Sequence, residues 1–131
     1  MNDYALALDA LDNVINNDKK SNEEINLLAK NASNLAYVTR LVYGVLENKL
    51  YLDYMIGKLS TTKLKKIQKK VLIILEMGIY SIHFLEKKDY SIVNELVDLT
   101  KNTNKRASGF VNAVLRNFIR DEKEISTIYE R

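Results

Sequence analysis

The chain has 131 residues, the length of a single domain, and its 47% apolar and 28% charged residues are typical of a globular protein rather than a disordered one. It has no cysteine, which excludes disulfides, cysteine-ligated zinc or iron–sulfur sites and thiol nucleophiles. The formal net charge of +3 is unevenly distributed: residues 1–59 hold six Lys or Arg against eight Asp or Glu, whereas residues 60–131 hold fourteen against nine. An anionic partner is therefore expected at the second half of the chain.

The chain has no proline and only four glycines, which predicts an all-α fold because the sharp turns of β-sheets use both residue types. The N-terminus lacks a basic region followed by an apolar run. No stretch approaches the roughly 18 uninterrupted apolar residues of a membrane span. These features predict a cytoplasmic protein that does not interact with a membrane.

The first predicted helix covers residues 3–16, where apolar residues repeat at helical spacing and aspartates lie on the opposite face. A second, short helix is predicted to begin at Ser21, because Ser21 and Glu24 have the spacing of a capping box. It is expected to be interrupted at residues 31–34. The N-terminal part of the chain thus contributes two helices, the first of them acidic.

A long helical pattern follows over residues 33–59, and a glycine and an Asn-Lys pair in its middle favour a break near residues 44–49. Hydroxyl residues at positions 60–62 are N-cap candidates for a fourth helix that continues to about Leu85. Its segment Val71–Leu75 is apolar on nearly all sides, which predicts a buried central helix.

Asp89 is the predicted cap of a fifth helix, and residues 101–104 are predicted to form the loop before the sixth. The sixth helix, over residues 107–120, has an apolar stripe on one face and cations on the other. Its stripe consists of Phe110, Val111, Val114, Leu115, Phe118 and Ile119. Residues 121–131 contain few apolar residues, and we expect them to form a helical end or the start of a linker to a further domain.

Two groups of cations are the candidate binding residues. The polar face of the predicted fourth helix is entirely lysine, and its candidate binding residues are Lys65, Lys66, Lys69 and Lys70. The sixth helix carries the second group, which consists of Lys105, Arg106, Arg116 and Arg120. Uncompensated like charges slightly destabilise a helix, so these faces either tolerate that cost as solvated surface or bind phosphates.

Catalytic candidates are few. His83 is the only histidine, and its position near a predicted helix end favours a structural role over catalysis or metal binding. The glycines are too far apart for a phosphate-binding loop or a dinucleotide fingerprint. The tyrosines are expected to be half-buried core residues with hydrated hydroxyl groups, and none is assigned to base stacking. The chain by itself is therefore predicted not to be an enzyme, and it is predicted to hold neither metal nor cofactor.

Four segments occur in the order and spacing of a known family. They are Arg40–Leu46, Leu75–Tyr80, Val93–Leu99 and the string Phe110–Arg116, which reads Phe-Val-Asn-Ala-Val-Leu-Arg. Together they resemble the NusB-like RNA-binding domains. The residues of the last segment are most similar to those of the NusB-like domain at the N-terminus of RsmB-type ribosomal RNA cytosine-5 methyltransferases.

The resemblance implies an all-helical bundle of six to seven helices in two packed three-helix subdomains that binds RNA. Residues 1–120 would form this domain, and a missing domain would bind S-adenosylmethionine and methylate small-subunit ribosomal RNA. One alternative is a free-standing transcription antitermination factor that binds RNA together with a ribosomal protein, and a homodimer is also compatible with the family. The other alternative is a helical interaction module without a nucleic acid role. The family's arginine-rich first helix has no counterpart, because residues 1–18 contain four Asp and neither Lys nor Arg.

Overall fold

The structure is a computed structural model that describes residues 2–87 and 90–130, with side chains described as far as Ile125. These residues form seven α-helices and two short 3-10 turns, at Leu64–Lys66 and Lys105–Ala107, and contain no β-strand. The helices are α1 (Asp3–Asn16), α2 (Ser21–Leu28), α3 (Leu35–Glu47), α4 (Lys49–Leu59), α5 (Lys69–His83), α6 (Tyr90–Thr103) and α7 (Ser108–Glu130). The predicted all-α fold is confirmed.

Helix α5 is the centre of the bundle. It packs against α1, α3, α4, α6 and α7, and its residues from Ile73 to Ile82 are buried. The predicted central position of Val71–Leu75 is thus confirmed, although Leu72 is only half-buried. Helices α1–α3 pack on one another, α4–α7 form a second group, and the two groups share one hydrophobic core across α5. In the described part of the chain, no helix combines the length and apolarity that crossing a membrane would require.

Helix α1 has the predicted bounds, and Asn2 caps it by accepting a hydrogen bond from the backbone N–H of Ala5 at 2.8 Å. The predicted capping box at α2 is wrong. Ser21 is already inside the helix, and the carboxylate of Glu24 accepts a hydrogen bond from the Asn13 side chain at 2.7 Å instead of bonding back to its own helix start. A tertiary contact to α1 has replaced the local one.

The long pattern over residues 33–59 is two helices, and the break lies at Asn48, inside the predicted interval. Both the backbone N–H and the side-chain amide of Asn48 donate to the carbonyl of Gly44, which ends α3. This extra break is why the described residues form seven helices where the periodicity alone predicts six.

The start predicted for the fourth helix is wrong. Its Ser60, a predicted N-cap, ends α4 instead, and α5 begins only at Lys69, where Gln68 caps it by accepting from the N–H of Val71. The backbone is extended at Ile67, yet its side chain is buried, 8% exposed. Apolar residues at 64, 67 and 71 thus reach the core from a 3-10 turn followed by a helix, a spacing that periodicity cannot distinguish from one continuous helix.

Helices α6 and α7 follow the prediction more closely. Asp89, the predicted cap of α6, lies outside the described residues. The predicted loop over residues 101–104 is mostly helix, because α6 continues to Thr103. The apolar stripe of α7 is confirmed, with Val111, Leu115 and Phe118 fully buried. The helix runs on to Glu130, so the described part of the predicted tail extends it.

Candidate nucleic-acid interface

The lysines of the second half do not form the predicted helical face. Lys65 and Lys66 lie in the 3-10 turn, whereas Lys69 and Lys70 lie in the first turn of α5. The first three of these side chains are exposed and Lys70 is half-buried. The four lysines therefore surround the amino end of α5 instead of lying along one side of a helix.

Lys105 and Arg106 lie at the same end of the bundle. A groove of about 440 Å³ opens between α1, α5 and α6, and its wall includes Lys70 together with Asn102 and Thr103, the last residues of α6. Lys105 and Arg106 follow two and three residues after Thr103. We call these six residues the basic end; its members are Lys65, Lys66, Lys69, Lys70, Lys105 and Arg106.

The basic end keeps its charge unpaired. None of its six side chains forms an ion pair with a carboxylate of the described residues. Asp9 contributes to the wall of the groove without bonding to Lys70. Cations that form no ion pair are available to the phosphates of a polyanion.

Arg116 and Arg120 are not part of the basic end. They follow Arg106 by ten and fourteen residues, which places them about 15–20 Å further along α7 at 1.5 Å per residue. Because α7 runs back along α6, Arg116 lies beside Tyr90, the first residue of α6. The structure therefore brings together six of the eight candidate residues and sets the two arginines of α7 apart.

The two arginines of α7 also have local partners. Arg116 donates from Nε to the Asn112 side-chain oxygen at 2.8 Å, and its guanidinium lies 4.5 Å from the centre of the Tyr90 ring. Arg120 forms a two-pronged ion pair with Asp121 at 3.0 and 3.1 Å, which lowers the pKa of the Asp121 carboxyl. Both arginines are exposed, so these contacts restrain them without burying them.

The acidic first helix has a structural role that the sequence did not reveal. The two carboxylate oxygens of Asp3 accept hydrogen bonds from the backbone N–H groups of Ser33 and Asn34, at 2.8 and 3.0 Å. The Tyr4 and Tyr37 hydroxyl groups lie 3.0 Å apart beside them, and burial together with this hydrogen bond raises the pKa of Tyr4. At least this aspartate therefore joins α1 to the start of α3.

Two carboxyl groups, those of half-buried Asp53 and buried Glu76, lie between α4 and α5. Lys49 donates to Asp53 at 3.0 Å and to Glu76 at 2.7 Å, and the Glu76 side chain is completely buried. The remaining oxygen of each carboxyl is buried and accepts no hydrogen bond from a third group among the described residues. Burial, followed by a hydrogen bond to Asp53 and the charge of Asp53, raises the pKa of Glu76 to about 8, whereas Lys49 opposes the shift. When Glu76 is protonated, its carboxyl can donate to Asp53, and Lys49 then faces one negative charge fewer.

His83 has the structural position that the sequence predicts. Its ring joins three helices, because Nε2 lies 3.1 Å from the Tyr51 hydroxyl of α4 and Nδ1 lies 2.8 Å from the Glu122 carboxylate of α7. The ring also packs edge-on against Phe84 and Phe118. Within the described residues, no three His, Cys, Asp or Glu side chains are grouped as a metal site requires.

Replacing His83 with phenylalanine is expected to destabilise the protein by about 1–2 kcal/mol, because the ring packing is kept while both hydrogen bonds are lost. Urea denaturation measures this loss. Amide hydrogen exchange should also become faster in α7 after Phe118, where Glu122 loses its contact with α5. The Asn17→Ala variant, in an exposed turn, serves as the control, and unchanged exchange in α7 of the His83 variant contradicts the bridging role.

Comparison with known proteins identifies the family. The NusB family model matches residues 1–120. A probable ribosomal RNA small subunit methyltransferase B of Bacillus subtilis is 34% identical over 122 residues, which cover 88% of this chain and 27% of that protein. The transcription antitermination protein NusB of Bacillus licheniformis is 32% identical over 118 residues, which cover 88% of this chain and 92% of that protein.

A second methyltransferase, from Coxiella burnetii, shows the same partial coverage as the Bacillus subtilis protein. It is 28% identical over 106 residues, and the match covers 80% of this chain and 25% of that protein. The chain thus spans about a quarter of the length of its methyltransferase relatives and nearly all of an antitermination relative. Because the family model matches residues 1–120, the chain belongs to the NusB family.

Proposed function

We propose that this chain is the RNA-binding N-terminal domain of a cytoplasmic small-subunit ribosomal RNA cytosine-5 methyltransferase. The observation that carries the RNA-binding part is the basic end, where six cations lie at one end of the bundle and form no ion pair with a carboxylate of the described residues. The methyltransferase part is supported by the 34% identity with the Bacillus subtilis methyltransferase over 88% of this chain.

The basic end suits a backbone contact better than base reading. Lysine presents a compact point charge on a flexible stem, and phosphate contacts of this kind give affinity with little sequence discrimination. The two cations beyond Thr103 lie on a 3-10 turn that packs against both α6 and α7, so they are held against the helical bundle. In this proposal the domain seats the ribosomal RNA while another part of the protein determines which base reacts.

The methyl donor would be bound outside this chain. A glycine-rich nucleotide loop needs glycines at exposed turns, but Gly44 and Gly78 lie inside helices and face Tyr80 and Leu115. Gly57 lies inside α4. In this proposal the cofactor and the catalytic step belong to a further domain.

Binding of a ribosomal RNA fragment should weaken steeply with salt, because phosphate contacts release condensed counterions. Replacing Lys65, Lys66 and Lys69 with glutamine should lower the affinity about tenfold or more at low salt. It should also reduce the slope of log K against log salt by up to about 2, at roughly 0.7 per phosphate contact to a single strand. Fluorescence anisotropy over a salt series measures both quantities.

The matched control replaces Lys19, Lys20 and Lys30 with glutamine. These three lysines are also exposed and change the net charge equally, but they lie at the turn between α1 and α2 and just after α2. The control should bind RNA within about twofold of the natural chain. Equal losses in the two triple variants would show that net charge, rather than the basic end, determines binding.

The alternative is a free-standing antitermination factor, and the coverage of 92% of the Bacillus licheniformis relative favours it. In that case the RNA contact would be completed by a ribosomal protein, and α1, which has no cation, suits a protein surface better than an RNA groove. Isolation of the tagged protein from its own cells distinguishes the two. A ribosomal protein at equal stoichiometry supports antitermination, whereas an attached methyltransferase domain supports the main proposal.

A further inference from the structure

Tyr90 differs from the tyrosines that face the core. It is the first residue of α6 and is 47% exposed, whereas Tyr80 is buried at 6% exposed. The Arg116 guanidinium lies 4.5 Å from its ring centre, and Asn112 holds that guanidinium in place by accepting from Nε at 2.8 Å. Arg116 and Asn112 therefore form a polar clamp on the ring.

Joining the two helices does not require this clamp. Buried apolar residues already pack α6 against α7, among them Val93, Leu96, Val111 and Leu115. An exposed cation–π pair adds little to the stability of such a contact. A large ring left open beside a guanidinium is, however, a surface on which a flat aromatic ligand can stack.

Arg120 adds a hydrogen-bond donor for a phosphate near this clamp. It lies on α7 one helical turn beyond Arg116, the residue that contacts Tyr90. Asp121 occupies its Nε and one hydrogen of Nη2, so further N–H groups of the guanidinium stay available. Because an exposed ion pair of this kind is weak, a phosphate can compete for Arg120.

We propose that Tyr90 and Arg116 form a stacking platform for one unpaired RNA base, whose adjacent phosphate contacts Arg120. The platform deepens the proposed RNA-binding function and rests on it: a strand that starts at the basic end and follows α7 passes Tyr90. The ligand class is single-stranded RNA, since the bases of a duplex are stacked on one another and cannot reach a side-chain ring.

The Tyr90→Trp variant tests the platform directly. The chain has no tryptophan, so this variant carries a single indole, which keeps the cation–π contact and reports stacking by loss of its fluorescence. A saturating short single-stranded RNA should quench this fluorescence, and a duplex of the same length should not. Tyr90→Ala should raise the Kd for the single strand about 5- to 150-fold, whereas Tyr90→Phe, which keeps the ring, should change it less than twofold.

Leu27→Trp is the control, because Leu27 is 72% exposed on α2, a helix that packs against α1 and α3. Its fluorescence should not change with RNA. If the Tyr90→Trp protein binds RNA by anisotropy but its indole is not quenched, the platform is wrong and the RNA-binding function stands. If the protein binds neither single strand nor duplex at low salt, both proposals are overturned.

Discussion

Between pH 4.5 and about 8, Glu76 alone is expected to lower the free energy of unfolding by up to about 1.4 kcal/mol per pH unit. In the folded protein, burial and Asp53 raise the pKa of Glu76 to about 8, so over this interval the folded chain holds a proton that the unfolded chain has lost. The stabilisation from protonated Glu76 is complete below pH 4.5 and is lost as the pH rises to about 8. Urea denaturation at a series of pH values measures this slope.

The Glu76→Gln variant isolates the effect. Glutamine has the shape of the protonated acid, and its amide can donate to Asp53 while its carbonyl accepts from Lys49, but it does not titrate. The variant should therefore lack the Glu76 part of the slope and should be more stable than the natural protein at pH 9. Glu23→Gln, on the exposed face of α2, should leave the pH profile unchanged. If the natural and Glu76→Gln proteins have the same dependence of unfolding free energy on pH, Glu76 does not hold the proton in the folded protein.

Replacing Gly44 with alanine is expected to destabilise the protein by about 1–3 kcal/mol. A Cβ atom at position 44 would overlap the ring of Tyr80. That ring cannot swing away freely, because it is buried and stacked on Phe84 with 5.1 Å between the ring centres. Helices α3 and α5 would have to separate, and this cost outweighs the gain of about 1 kcal/mol that alanine has over glycine inside a helix. Thermal and urea denaturation measure the difference.

Gly57→Ala is the matched control, since Gly57 is also inside a helix but has open space around the position of a Cβ atom. It should stabilise the protein by about 0.5–1 kcal/mol. A Gly44→Ala protein as stable as Gly57→Ala would show that the close approach of α3 to Tyr80 is not needed. The Gly44→Ala/Tyr80→Leu double variant should recover part of the loss, because the shorter side chain makes room for the new methyl group.

The sequence alone predicted the helices whose apolar residues form one regular stripe. Helix α1 has the bounds that its periodicity indicates, and the stripe of α7 is buried as expected, because the 3.6-residue repeat is a local property. The lysines could also be assigned to the surface, since no carboxylate stands at helical spacing to neutralise them. The family resemblance, read from four short segments, is confirmed by the match over residues 1–120.

Only the tertiary structure decided how those cations are grouped. Leu64 and Ile67 lie outside α5 because the backbone is extended at Ile67 and Gln68 caps the helix. A continuous helix and a 3-10 turn followed by a helix have the same apolar spacing in the sequence. Lys70 lies across a groove from the end of α6 because α5 and α6 pack together. Arg116 lies further along α7, where it contacts Tyr90. Glu76 likewise finds Lys49 across 27 residues of sequence. Periodicity places a residue on a face of its own helix, but only the packing of one helix on another determines which faces meet.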